Sequence, residues 1–270
     1  MDLQELNGRG LVLLGCGKMG SALLAGWLAR GVVPQAVHVI DPRPSDWLSG
    51  TGVHLNGALP SAPAVVLLAV KPQIMGTALP VLAGLGASGT LFVSVAAGTS
   101  LAMLGAALGE GAAIVRAMPN TPAAVGQGIT ALIGNARVGT GEMALAEALM
   151  AAVGQVVRLE NEAQMDAVTG LSGSGPAYVF HLIEAMAAAG EAEGLAPDLA
   201  LDLARATVAG AGALAVQSGE APGVLRENVT SPGGTTAAAL AVLMDEGAGF
   251  PPLLRRAVAA AAARSRELGQ

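Results

Sequence analysis

Residues 15–20 read Gly15-Cys16-Gly17-Lys18-Met19-Gly20, three glycines at the spacing G-x-G-x-x-G. That spacing suits a strand-to-helix turn that grips a pyrophosphate. The first glycine permits the tight turn, the second lets a phosphate approach the backbone, and the third lets helix and strand pack closely. The N–H groups that open the helix have no intrahelical acceptor and meet the negative charge. Asp41 stands 21 residues beyond Gly20, near the offset at which an acid takes the ribose 2′-hydroxyl of NAD. Arg43 follows closely; it suits the 2′-phosphate of NADP, or is a solvated loop charge. These two residues leave NADH and NADPH both open. A second glycine-rich stretch, Ser231-Pro232-Gly233-Gly234-Thr235-Thr236, precedes an apolar run near residues 235–245. Its glycines expose backbone N–H groups at a helix start, an anion site that needs no arginine. The hydroxyls of Thr235 and Thr236 either cap that helix or serve a ligand.

Buried strands must hold the first of these turns in place. Leu11–Leu14 is a short apolar run ending at Gly15, and helical spacing follows over Lys18–Arg30. Further strands are read at Ala36–Ile40, Ala64–Val70, Thr90–Val95, Ala113–Met118, Thr130–Ile133 and Gln155–Leu159. Helical stretches fit near residues 73–85, 100–109 and 141–152. Such alternation predicts a parallel sheet covered on both faces, an α/β, Rossmann-type doubly wound sheet. Ligands bind at the carboxyl edge of such sheets, so the loops Ala69-Val70-Lys71-Pro72 and Met118-Pro119-Asn120-Thr121-Pro122 are candidates for the groove. Lys71 is otherwise an ordinary surface lysine and Asn120 a turn former.

Strand signals stop near residue 160, which predicts a dinucleotide-binding domain at 1–160 and an all-helical domain at 161–270. Ser174 and Pro176 suit a helix start leading into Ala177–Glu193, ended by Gly194. Pro197 opens a helix to about Ser218, and others are read near 235–245 and 252–268. Gly210 and Gly212 inside the second helix suggest close helix packing, within the chain or across a subunit boundary.

Composition narrows the function. The 270 residues include only 3 Phe, 2 Trp and 1 Tyr, yet 53% are hydrophobic, so the core is aliphatic. Few rings and no basic cluster argue against nucleic acid. The net charge of −6 lies wholly in residues 161–270. Residues 72–109 carry no charge, but prolines, glycines and hydroxyls interrupt them too often for a membrane span. A single cysteine and an acidic, polar N-terminal stretch favour the cytoplasm. Cys16 lacks an obvious base and reads as a small packing residue. His38, His54 and His181 are too scattered to suggest a metal site.

At this point the sequence resembles the pyrroline-5-carboxylate reductase family along nearly its whole length. The resemblance rests on GCGKMGSALLAGW, LLAVKPQ, VSVAAGTS, VRAMPNTPAAVGQG, DAVTGLSGSGPAYVF and ENVTSPGGTT. Many oxidoreductases share the first; Leu171–Tyr178 and Asn228–Thr236 are more specific. The resemblance implies reduction of the cyclic imine 1-pyrroline-5-carboxylate to L-proline by NADPH or NADH. It places the pyrophosphate on Gly15–Gly20 and the adenosine ribose or its 2′-phosphate near Asn56. Ala69, Val70, Lys71, Pro72, Ala96 and Ala97 line the cofactor groove, Asn120 faces the nicotinamide side, and Glu162 contacts the cofactor. Ser231, Gly233, Gly234 and Thr235 receive the substrate carboxylate, and Thr236, the catalytic candidate, meets the ring nitrogen. It also implies an intertwined dimer through the C-terminal helices, with higher assemblies of dimers, so that one active site uses both chains. Many members end the second strand with small polar residues and prefer NADPH; Asp41 departs from that pattern.

Two other readings remain. A β-hydroxyacid dehydrogenase-like enzyme would keep the fold, but it would want a helix-borne lysine, and residues 161–270 contain none. A catalytically idle dinucleotide-binding protein would not need an intact SPGGTT loop.

Overall fold

The computed structural model describes residues 3–82, 84–87 and 89–269. They divide into two compact units. One runs to Gly173 and takes up the chain again from Ala261; the other is Ser174–Ala260. The division thus falls after Gly173 rather than after residue 160.

The first unit begins with α1 (Leu3–Arg9), β1 (Leu11–Leu14), α2 (Lys18–Ala29), β2 (Val37–Ile40), α3 (Asp46–Ser49), β3 (His54–Leu55) and β4 (Val65–Leu68). It continues with α4 (Met75–Ala78), β5 (Leu91–Ser94), α5 (Leu101–Leu108), β6 (Ala113–Met118), β7 (Gly128–Gly134), α6 (Thr140–Met150), β8 (Gly154–Arg158) and α7 (Met165–Val168). The strands form one sheet in the order β3-β2-β1-β4-β5-β6-β7-β8. Because β1 sits between β2 and β4, the winding reverses beside it, and that switch point is where such sheets bind ligands.

Within each strand, alternate residues face opposite sides. Leu11, Leu13, Val37, Val39, Val65 and Leu67 pack with Leu23, Leu24 and Trp27 of α2 and Leu149 of α6. Val12, Leu14, Val66, Leu68, Phe92 and Ile114 pack on the other face with Met75, Leu79 and Leu104. Burial on both faces is why these strands read as unbroken apolar runs. The indole N–H of Trp27 donates to the Leu149 carbonyl at 2.9 Å, so the largest buried side chain leaves no unpaired donor.

The sheet departs from expectation in two ways. β7 runs antiparallel to β6. The connection between them holds only a 3₁₀ turn, Thr121–Val125, too short for a parallel crossover. β3 is an eighth strand of two residues, too short to show a period. The helix expected over 73–85 is instead the four-residue α4 among 3₁₀ turns at Pro72–Ile74, Leu79–Leu82 and Leu85–Ala87. Pro80 lacks the N–H that would continue α4; Ala83 and Ser88 lie outside the described residues. α1 did not stand out from its polar sequence.

The second unit contains α8 (Gly175–Ala192), α9 (Pro197–Ser218), α10 (Pro222–Asn228), α11 (Thr235–Leu243) and the first part of α12 (Phe250–Leu268). Ser174 does not cap α8: its backbone is already helical and its side chain makes no capping bond. A π-helical turn at Thr169–Gly173 precedes it instead. Close packing between α8 and α9 occurs at Gly190, where a Cβ would lie 3.3 Å from the Ala200 Cβ. At Gly210 and Gly212 a Cβ would meet nothing within 4 Å, so their expected close contact is not made among the described residues.

Candidate active site

At the end of β1 the three glycines divide their tasks as the spacing predicts. Gly15 is left-handed, with φ +87°, and a Cβ there would lie 2.8 Å from Val70 Cγ1. The turn after β1 therefore nests against the turn after β4. A Cβ at Gly20 would strike the Gly15 carbonyl oxygen at 2.6 Å, so α2 sits on the turn only because that residue is glycine. At Gly17 a Cβ would meet no atom within 4 Å. Gly17 is also the N-cap of α2 and offers no side chain to its amides. The first intrahelical bond runs from the Ser21 N–H to the Gly17 carbonyl at 2.8 Å, which leaves the amides of Lys18, Met19 and Gly20 without helical acceptors. A pyrophosphate fits that exposed, uncapped turn. Cys16 is buried among these residues, and burial pushes its thiol above the ordinary range despite the Ser21 hydroxyl 3.5 Å away. Burial and a raised pKa suit the packing role read from the sequence.

Asp41 follows β2 and reaches back to this turn. Its Oδ2 accepts the Cys16 N–H at 2.7 Å and its Oδ1 accepts the Arg43 N–H at 2.8 Å. Asn56 holds the backbone of Asp41 from both sides. Its Oδ1 accepts the Asp41 N–H at 2.9 Å, and its Nδ2 donates to the Asp41 carbonyl at 2.8 Å. The Asn56 side chain is thus bonded to the backbone of Asp41, beside the position at which the resemblance implied the adenosine ribose or its 2′-phosphate. The Arg43 side chain is exposed and forms no ion pair among the described residues.

Ala69 and Val70 line the turn after β4, with Lys71 exposed beyond them and Pro72 opening the next 3₁₀ turn. Ala96 and Ala97 follow β5; the Ala96 N–H donates to the buried Ser94 hydroxyl at 3.3 Å. Asn120 follows β6. Its Oδ1 accepts the Ile129 N–H at 3.0 Å, and its Nδ2 lies 3.4 Å from the Ser172 carbonyl, so it ties the sheet edge to the π-helical turn.

Glu162, the expected cofactor contact, is bonded within the chain through one carboxylate oxygen. Its Oε1 accepts both the Arg116 Nη1 and the Leu101 N–H, each at 2.8 Å. It thus neutralises a charge in the middle of β6 and caps α5 with negative charge at the favourable end. Arg116 is only 5% exposed, and its Nε is the one buried side-chain N or O atom without a partner among the described residues. Sequence reasoning passed over Arg116. The signal was present: a lone charge in the apolar run Ala113–Met118 must be paired if that run is buried.

His38 and His54 stack at 4.6 Å between ring centres on neighbouring strands. Burial, with His54 adjacent, lowers the His38 pKa. Among the described residues no three of His, Cys, Asp and Glu group as metal ligands.

The substrate candidates belong to the second unit. Gly233 is left-handed, φ +69°, and a Cβ at Gly234 would come within 2.5 Å of Ser231 Oγ. Gly234 is the N-cap of α11, with no side-chain cap. Thr235 and Thr236 are the first two residues of the helix, so neither is the cap that their type suggested. Thr236 is half-buried, and its hydroxyl makes no hydrogen bond among the described residues. The loop therefore presents uncapped amides and two hydroxyls in one helical turn, a constellation able to hold a carboxylate and orient a neighbouring polar atom.

Comparison with known proteins bears on the chain from end to end. Residues 162–268 match a family model described as pyrroline-5-carboxylate reductase dimerisation, and residues 11–98 match one described as NADP oxidoreductase, coenzyme F420-dependent. A pyrroline-5-carboxylate reductase of Synechocystis is 43% identical over 267 residues, covering 96% of this chain and 98% of its own. That of Pseudomonas aeruginosa is 40% identical over 266 residues, covering 96% and 97%. Among solved structures, the pyrroline-5-carboxylate reductase of Coxiella burnetii matches with a TM-score of 0.90 at 34% identity, over 97% of this chain and 99% of that one. The Plasmodium falciparum pyrroline carboxylate reductase with NADP bound matches with a TM-score of 0.85 at 29% identity, over 98% and 99%.

Proposed function

The chain belongs to the pyrroline-5-carboxylate reductase family, and from that premise we propose that it reduces 1-pyrroline-5-carboxylate to L-proline, the last step of proline biosynthesis. A reduced nicotinamide cofactor, NADPH or NADH, supplies the hydride for the imine carbon C5 when bound. The protein supplies binding, orientation and control of the proton. The amides of Lys18, Met19 and Gly20 receive the pyrophosphate, and Ala69–Pro72, Ala96 and Ala97 line the groove. Glu162 and Asn120 border that groove, held by Arg116 with Leu101 and by Ile129 with Ser172.

The observation that carries the substrate assignment is the uncapped start of α11. Ser231, Gly233, Gly234 and Thr235 bind the carboxylate through amides and hydroxyls. Thr236 meets the ring nitrogen, which must be protonated or hydrogen-bonded before C5 accepts hydride. An aliphatic hydroxyl is far too weak an acid to be a free proton source, so Thr236 orients the imine or relays a proton. Correct orientation of two reactants is worth up to about 7–11 kcal/mol. Replacing Thr236→Ala lowers kcat by about 10²-fold or more while the dissociation constant for the reduced cofactor stays within error. An unchanged kcat/KM in that variant removes Thr236 from the reaction.

The functional assembly is a homodimer built through the C-terminal helices, open to higher assembly of dimers. The exposure of Leu199, Leu203, Leu214 and Val216 on α9, at 50%, 49%, 54% and 69%, supports this. α9 is long and apolar enough to cross a membrane by length and composition. Its position within the matched dimerisation segment favours a second copy as the cover for that surface. The single free cysteine suits a cytoplasmic enzyme.

A further inference from the structure

We infer that this enzyme selects NADH over NADPH, with Asp41 as the selecting residue and Asn56 as the residue that positions it. The inference rests on the cofactor reading given above and concerns which reduced dinucleotide enters that groove.

Asp41 lies where an acid at the end of the second strand meets the adenosine ribose. Its carboxylate bridges two backbone amides, Cys16 N–H at 2.7 Å in the glycine turn and Arg43 N–H at 2.8 Å after β2. Both amides are thereby occupied by the carboxylate. A carboxylate has about four acceptor positions, so two remain for the ribose 2′-hydroxyl. A phosphate in place of that hydroxyl brings roughly −1.5 to −2 of charge against the same carboxylate and finds its donors already engaged. Arg43 is the nearest cation in sequence, but its guanidinium forms no ion pair with Asp41.

The carboxylate is also held, not merely present. Asn56 has φ +53°, the only non-glycine residue with positive φ among those described. Its own N–H donates to the Val39 carbonyl at 2.8 Å, which fixes it to β2. From there its amide accepts from the Asp41 N–H and donates to the Asp41 carbonyl, a reciprocal pair. Asparagine tolerates the left-handed region better than most residues and offers both a donor and an acceptor. Turning the carboxylate aside to admit a phosphate breaks its bonds to the Cys16 and Arg43 amides, while Asn56 fixes the backbone from which the side chain turns.

The test uses the full-length enzyme. Dissociation constants for NADH and NADPH are measured by cofactor fluorescence, and kcat and KM are measured for each with 1-pyrroline-5-carboxylate. NADH is expected to bind more tightly and to have the higher kcat/KM, by about a hundredfold, as like-charge juxtaposition implies. Asp41→Asn keeps the shape but removes the charge and narrows the ratio by about tenfold or more; Asp41→Ser, smaller still, narrows it further. Asn56→Gly keeps the left-handed backbone and removes only the side-chain pair. It should raise KM for NADH and narrow the ratio with kcat held within about twofold, a split that loss of fold stability alone would not produce. Tighter binding of NADPH, or an unchanged ratio in both Asp41 variants, overturns the inference. Equal effects of Asn56→Gly on both cofactors overturn its positioning role. If NADH binds more tightly but no imine is reduced, the selection stands and the proposed reaction fails.

Discussion

Hydrogen bonds already made within the chain decide much of what each polar residue near the cofactor turn can do. Asn56, Asn120 and Glu162, which the resemblance assigns to the cofactor groove, also hold Asp41, Ile129 with Ser172, and Arg116 with Leu101. Glu162 permits a direct test. Glu162→Gln keeps an acceptor for Leu101 but leaves the Arg116 charge buried without a counterion. Breaking such a pair costs about 3 kcal/mol, read as a lower urea midpoint with an unchanged m-value. A midpoint equal to that of the parent would show that solvent already screens Arg116. The glycines were legible because their roles are backbone roles, fixed by spacing. The partners of Asp41 and Glu162 were not, since residues far apart in sequence choose one another only after the sheet has formed. Thr236 shows the reverse: its type suggested a cap, and the N-cap two residues earlier, at Gly234, frees its hydroxyl.

At the scale of elements, the long buried strands announced themselves, and the short or irregular pieces did not. β1 and β4 are four-residue apolar runs and β5 adds only Ser94 to one, all buried throughout, so their existence and parallel packing followed from composition. β3 has two residues, and the reversal of β7 depends on a loop length that periodicity does not report. The β1–α2 junction is where element packing and the proposed cofactor site coincide. Gly20→Ala places a Cβ 2.6 Å from the Gly15 carbonyl, so α2 must shift. The expected result is a loss of about 1–3 kcal/mol in stability together with weaker binding of both reduced cofactors. Gly17→Ala offers the contrast, since its Cβ meets no protein atom. It should leave stability near that of the parent while weakening cofactor binding. If both variants lost only stability, the turn would be structural and not a phosphate cradle.

For the whole molecule, the two halves differ in how they bury apolar surface. The sheet unit closes two hydrophobic faces within itself, whereas α9 buries only Ala200 and Ala204 in a single chain. The alanine- and glycine-rich sequence therefore has two meanings: close strand-to-helix packing in the first unit, and an exposed helical surface, proposed above as the dimer interface, in the second. Sedimentation of the purified protein should give a dimer or a multiple of dimers, and Leu203→Glu should shift it toward the monomer. A monomeric parent would remove the assembly proposed for α9. The central claim concerns chemistry, and one measurement meets it directly. The purified enzyme is mixed with 1-pyrroline-5-carboxylate and NADH or NADPH, cofactor oxidation is followed optically, and the product is identified by chiral chromatography. The prediction is imine-dependent oxidation of the cofactor with one L-proline formed per dinucleotide consumed. Absence of proline with both cofactors, from folded protein that still binds a reduced dinucleotide, would contradict it.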